Sequence, residues 1–109
     1  MKNILFVCSA NKDRSKTADD YFSEKYPQYH VDSAGTNIKL CHKEGTNPMS
    51  EELAEWADEI IVMEKKHQAF VNSLSSKNVS KKIRVLNIPD YFNYYQKELI
   101  ELLEEKVSF

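Results

Sequence analysis

Apolar residues fall along the chain in four short runs separated by longer segments of mixed polarity. The first, Ile4-Leu5-Phe6-Val7, is continuous and rich in β-branched and aromatic side chains, which predicts a strand buried on both faces. Residues 15–26 follow, with Ala18, Tyr21, Phe22 and Tyr26 at helical spacing, and Pro27 ends that helix. His30-Val31-Asp32-Ser33 predicts a weaker strand running out at Ala34-Gly35, and the polar stretch 36–47 reads as a loop. Residues 50–58 predict a helix with Ser50 as N-cap and with Glu51 and Glu52 in the first turn, where carboxylates complement the helix dipole. Ile60-Ile61-Val62-Met63 predicts the third strand, and 66–74 an amphipathic helix carrying Ala69, Phe70, Val71 and Leu74. A Ser/Lys/Asn loop then leads to a fourth strand over 83–88. Residues 94–106 predict a last helix, with Leu99, Ile100, Leu102, Leu103 and the adjoining Val107 on one broad face.

Near-continuous apolar strands alternating with helices predict an α/β fold in three layers. Its centre is a four-stranded parallel sheet with helices on both faces, formed by 1–109 as one domain. Ligands of such sheets bind outside the carboxyl ends of the strands. The residues just after Val7, Val31, Val62 and Ile88 are therefore where chemistry is expected.

Composition narrows the choice. The chain has two glycines, Gly35 and Gly45, where a chain of its length averages roughly seven. Neither G-x-G-x-x-G nor G-x-x-x-x-G-K can be written with them, which excludes the Rossmann and Walker types of nucleotide site. A net charge of −2 gives no nucleic-acid signature, and no apolar run approaches the ~20 residues of a membrane span. The start, Met1-Lys2-Asn3 and five apolar residues, is too short for a signal peptide. Two cysteines, Cys8 and Cys41, are too few for a disulfide scaffold, so a cytoplasmic location is expected. His30, His42 and His67 make no metal-ligand spacing with them, and neither a metal nor a cofactor is expected.

The first strand is followed by Cys8-Ser9-Ala10-Asn11-Lys12-Asp13-Arg14-Ser15 and then a helix. Between a strand end and a helix start the backbone can curl so that successive N–H groups face one hollow, forming an anion nest. That positive field favours thiolate over thiol and makes Cys8 a nucleophile. Arg14 offers a planar fork that can hold two phosphoryl oxygens, which a lysine cannot do. Ser15 can donate a hydrogen bond to the sulfur. The loop needs a residue at positive φ, and Asn11 is the suitable non-glycine residue. Without the surrounding pattern, Cys8 would equally read as a small core residue.

Val7-Cys8-x5-Arg14-Ser15 with Asn11 resembles the signature loop of the low-molecular-weight protein tyrosine phosphatases. Asp32-Ser33-Ala34-Gly35-Thr36 is similar to the end of that family's second strand, and 57–64 (ADEIIVME) to its third-strand region. Leu86-Asn87-Ile88-Pro89-Asp90 resembles the fourth-strand end of a short bacterial branch known as predicted protein tyrosine phosphatases. The resemblance implies a cysteine-dependent phosphatase acting on phosphotyrosine or another aryl phosphate. Cys8 would form a phosphocysteine, while Arg14 and the amides of Ser9, Ala10, Asn11, Lys12, Asp13 and Ser15 bind the oxygens. Asn11, Ser15 and Ser33 would stiffen the loop through mutual hydrogen bonds. Asp90 would be the general acid and then the base. Tyr91 and Phe92 beside it could flank an aryl group, or could pack the last helix while Pro89-Asp90 merely turns the chain. The implied partner is a phosphorylated protein or small aryl phosphate, with no nucleic acid or membrane, and a monomer is expected.

The chain also departs from the family pattern. Ala10 replaces a glycine, Asp13 a cysteine and Lys16 a proline, with Asp13 expected to turn away and pair with Lys12 or Lys16. The segment 37–49 is short, as if a helix and part of the substrate wall were missing. Cys41, in that segment, is an incidental thiol or a redox partner. An arsenate reductase would need a further cysteine, and a non-catalytic phosphoprotein-binding module would need neither Cys8 nor Asp90. Trp56 is expected in the core, and the basic stretch 65–84 on a solvated face.

Overall fold

The computed structural model describes residues 2–74 and 79–109. The middle of the predicted Ser/Lys/Asn loop, 75–78, lies outside the described residues. Four parallel strands, β1 (Asn3–Cys8), β2 (His30–Gly35), β3 (Glu59–Val62) and β4 (Ile83–Val85), form one sheet in the order β2-β1-β3-β4. Among the described residues five α-helices connect or follow them, two of them in succession between β2 and β3: α1 (Arg14–Lys25), α2 (Ile38–Glu44), α3 (Glu51–Trp56), α4 (Lys65–Leu74) and α5 (Lys97–Lys106).

The central strand explains the three layers. Along β1 successive side chains point to opposite faces. Ile4, Phe6 and Cys8 join Ala18 and Phe22 of α1 and Leu99 and Leu103 of α5. Leu5 and Val7 join Ala54 of α3 and Val71 of α4 on the other side. A strand buried on both faces has no polar alternation, which is why β1 reads as a continuous apolar run. The register sets Cys8 opposite Gly35 and Val7 opposite Val62, bringing the strand ends to one edge.

Several local expectations are corrected. Residues 38–44 are helical, so the shortened segment keeps a helix. Asn37 caps α2 by accepting from Leu40 N, and Gly45 ends it at φ 71°, the left-handed conformation glycine adopts freely. On α4 the buried positions are His67 and Val71, with Phe70 and Leu74 partly buried, and Ala69 faces solvent. Strand β4 stops at Val85 because Asn87 takes φ 58° and breaks the extended path, although Ile88 N still bonds to Met63 O. Helix α5 begins only at Lys97. Tyr95 at φ 60° donates its N–H to Thr17 Oγ1 and holds the preceding chain on α1 instead. Trp56 is 36% exposed: it ends α3, whose buried contacts come from Ala54 and the following Ala57.

Candidate active site

Cys8 closes β1, and residues 9–13 carry the chain into α1. Cys8 Sγ lies 2.9 Å from Ser15 Oγ, and Asn11 Nδ2 donates to the same oxygen at 2.9 Å. With that oxygen already accepting, the Ser15 hydroxyl proton is left for the sulfur. Asn11 stands at φ 54°. Left-handed backbone costs asparagine less than most residues, so it replaces the glycine usually needed there.

The loop rests on neighbours from the β2–α3 connection. Asn47 N donates to Asn11 Oδ1 at 3.1 Å, Asn47 Nδ2 to Ser33 O at 2.8 Å, and Thr46 Oγ1 to Ala10 O at 2.6 Å. Gly35 lies directly beneath it. A Cβ there would stand 2.5 Å from Ser9 O and 2.9 Å from Asn11 N, so the loop lies this close because Gly35 has no side chain. The expected direct bonding of Ser33 to Asn11 or Ser15 is not what forms. The Ser33 hydroxyl donates to Asp19 Oδ2 at 2.7 Å, and its link to the loop runs through Asn47.

Helix α1 starts at this loop with no side-chain cap and no acidic residue in its first turn. Helices α2 and α3, by contrast, are capped by Asn37 and Ser50. The leading N–H groups of α1 thus lack the side-chain acceptor that satisfies such donors elsewhere, which suits an anion.

Arg14 is 2% exposed. Its Nη1 donates to Glu64 Oε2 at 2.5 Å and to Ile88 O at 2.8 Å, and its Nε stands 3.7 Å from Asp90 Oδ1. The hydrogen bond from Arg14 holds the Glu64 carboxyl below the ordinary carboxylate range. Elements far apart in sequence therefore converge on one guanidinium: α1 carries it, the end of β3 neutralises it, and the chain after β4 closes over it.

A small cleft opens between these groups, lined by Cys8, Ser9, Ala10, Lys12, Asp13, Arg14 and Asp90. Its volume of about 40 Å³ suits a small oxyanion and leaves an attached ring outside. Of the expected site residues, Asn11 and Ser15 lie buried beneath the cleft. Tyr91 and Phe92 do not line it: Tyr91 is 83% exposed, and Phe92 packs against the core between the sheet, α1 and α5. Asp13 lines the cleft unaided by the expected lysines. Lys12 pairs with Glu44, and Lys16 with Asp19 and Asp20. Cys41 is fully buried, with its sulfur 3.8 Å from Ser9 O and 3.6 Å from Ala10 O. A larger open groove of about 370 Å³ is lined by Tyr21, Glu24, Lys25 and Tyr95, with no cysteine among them. Among the described residues no cluster of three or more His, Cys, Asp or Glu could hold a metal ion, and no helix is long and apolar enough to cross a membrane.

Sequence reasoning passed over Thr46, Asn47, Glu64 and His67 as parts of the site. Only Glu64 carried a usable signal, because it sits just beyond the carboxyl end of β3, where ligand sites of parallel sheets form.

No protein-family model matches the chain, and no curated protein matches it in sequence. Solved structures do match: the fold is that of bacterial low-molecular-weight tyrosine phosphatases. The tyrosine phosphatase Wzb from Escherichia coli, solved with phosphate, is 22% identical, with 96% of this chain and 92% of that one covered at a TM-score of 0.77. Wzb from Vibrio vulnificus, solved with benzylphosphonate, is 20% identical over 96% of this chain and 93% of that one, at a TM-score of 0.76. The YwlE arginine phosphatase, in a cysteine-to-serine form with a phosphorylated active-site serine, is 22% identical. It covers 94% of this chain and 91% of its own, at a TM-score of 0.69. At these identities the likeness establishes a shared fold.

Proposed function

We propose that the protein is a cysteine-dependent phosphatase that hydrolyses aryl phosphates, including phosphotyrosine, through a phosphocysteine. The observation that carries this reading is the convergence on one small cleft of the Cys8 sulfur, the buried Arg14 guanidinium and the Asp90 carboxylate. Arg14 and the amides of the loop and first helical turn bind the phosphoryl oxygens. The Cys8 thiolate attacks phosphorus as the bond to the leaving oxygen breaks, and Asp90 gives that oxygen a proton. Water then attacks phosphorus and yields its proton to Asp90. The phosphorus–sulfur bond breaks, with the Ser15 hydroxyl donating to the departing thiolate. Catalysis of this kind rests on positioning and charge, and the Asn11, Asn47 and Gly35 supports supply the positioning. Phosphorylated proteins or small aryl phosphates are the proposed partners of a single-domain monomer.

The test is turnover of p-nitrophenyl phosphate, with vanadate as inhibitor and phosphoarginine as a second substrate. Wild type is expected to hydrolyse the aryl ester, and Cys8→Ser to abolish turnover. An inactive wild type alongside a Cys8→Ser variant that binds phosphotyrosine peptide would make the protein a binding module instead. Preferential hydrolysis of phosphoarginine would replace the substrate class and keep the mechanism.

A further inference from the structure

His67 is fully buried on α4, behind the cleft, and both ring nitrogens are engaged. Its Nδ1 lies 3.1 Å from the backbone N of Glu64, and its Nε2 lies 3.0 Å from Ser9 Oγ. A backbone amide can only donate, so Nδ1 must be the unprotonated acceptor and the single ring proton must sit on Nε2. His67 therefore donates to Ser9 Oγ, and the Ser9 hydroxyl cannot direct its own proton back at the ring. Burial and the nearby Arg14 charge push the imidazole down to about 4, so this tautomer persists through neutral pH. Ser9 lines the cleft beside Cys8, and among the described residues its Oγ hydrogen-bonds only to His67.

From this geometry we propose that the Ser9 hydroxyl donates a hydrogen bond to an oxygen of the bound phosphate ester, and that His67 is the positioning residue that aims it. The inference deepens the phosphatase reading and rests on the same cleft. It adds a side-chain donor to the backbone amides. It also gives a buried histidine a task that packing alone would not require. The same ring accepts from Glu64 N, and Glu64 in turn holds Arg14. One imidazole thus fixes both walls of the anion site.

The experiment measures the dissociation constant of orthophosphate together with kcat and KM for p-nitrophenyl phosphate. Ser9→Ala is expected to weaken orthophosphate binding about tenfold, as for a lost hydrogen bond to an anion. Ser9→Thr, which keeps the hydroxyl, should restore it to within about threefold. Because removing a buried histidine can unfold the chain, His67→Gln is the working variant there, its amide able to donate to the same oxygen. His67→Gln should lie between wild type and Ser9→Ala, and should cost nothing further when combined with Ser9→Ala. Orthophosphate binding by Ser9→Ala equal to that of a catalytically active wild type overturns the inference and leaves the phosphatase reading standing. A wild type without turnover whose orthophosphate binding still falls in Ser9→Ala overturns the phosphatase reading and supports the hydroxyl contact. A wild type that neither binds nor turns over overturns both.

Discussion

The Arg14 guanidinium, almost wholly withdrawn from solvent, donates to the Glu64 carboxylate at 2.5 Å. These residues are fifty positions apart, one opening α1 and the other following β3. A buried guanidinium is costly unless it is paired. Glu64 meets that need while leaving Arg14 Nε beside Asp90 on the open side. Glu64→Gln should therefore destabilise the protein by about 2 kcal/mol, somewhat below a fully buried pair because Glu64 is partly exposed. Inorganic phosphate should raise the Tm of this variant more than that of wild type, because the added anion replaces the missing charge. Thermal unfolding with and without phosphate checks this, and equal phosphate shifts in the two proteins would show that Arg14 does not depend on Glu64.

Asp90 stands 3.7 Å from Arg14 Nε with most of its side chain in solvent. Such a carboxyl can swing to a leaving oxygen without disturbing the core. Asp90→Asn should lower kcat about 10²–10⁴-fold for phosphotyrosine or phenyl phosphate, whose leaving groups need a proton. The loss should be much smaller for p-nitrophenyl phosphate, whose phenolate departs unassisted. Steady-state rates over a leaving-group series measure this; a uniform loss across the series would remove Asp90 from the role of acid.

Gly35 and Gly45 should respond oppositely to alanine. A Cβ on Gly35 meets the backbone of Ser9 and Asn11, so the loop must shift, and misplacement by an ångström costs about 10²-fold in rate. Gly45 at φ 71° has open space around it, so Gly45→Ala pays only in backbone strain, about 1 kcal/mol, with turnover unchanged. Comparing Tm and kcat/KM for the two variants separates the effects.

Acid should destabilise the protein through His67. Burial, its largest cause, lowers the imidazole from its ordinary 6.5 to about 4 in the folded chain, so between those values the unfolded chain binds the extra proton. Stability should be fully present above about pH 6.5 and fall by up to about 3 kcal/mol as the pH drops to about 4. Glu64, held below its ordinary 4.5, adds to the loss at still lower pH, because its pairing energy disappears as it protonates. Urea unfolding from pH 4 to pH 8 gives the slope, and His67→Gln should flatten it above pH 5.

The parallel sheet was legible in the sequence because a strand buried on both faces must be apolar throughout, as 4–7 and 60–63 are. The signature loop was legible because cysteine, arginine and the residues between them are contiguous. Helix α2 was not: it is a polar seven-residue helix stabilised by its Asn37 cap and the Gly45 turn, with Cys41 its one buried residue. Buried His67 was invisible for a related reason. A polar residue on an apolar face looks like an interruption until its partners Ser9 and Glu64 arrive from other elements.

By itself the sequence determined the layered fold, the strand–loop–helix passage that carries Cys8 and Arg14, and the need for Asn11 at its awkward backbone position, all consequences of local pattern. Only the tertiary structure decided what surrounds that loop: Glu64 on Arg14, Asn47 and Gly35 beneath it, His67 behind it, and Phe92 turned toward the core. Each of those contacts joins strand ends or loops distant in the chain. Hydrogen bonds and charge pairs across such distances follow from how the sheet brings its edges together, and residue spacing alone does not carry that information.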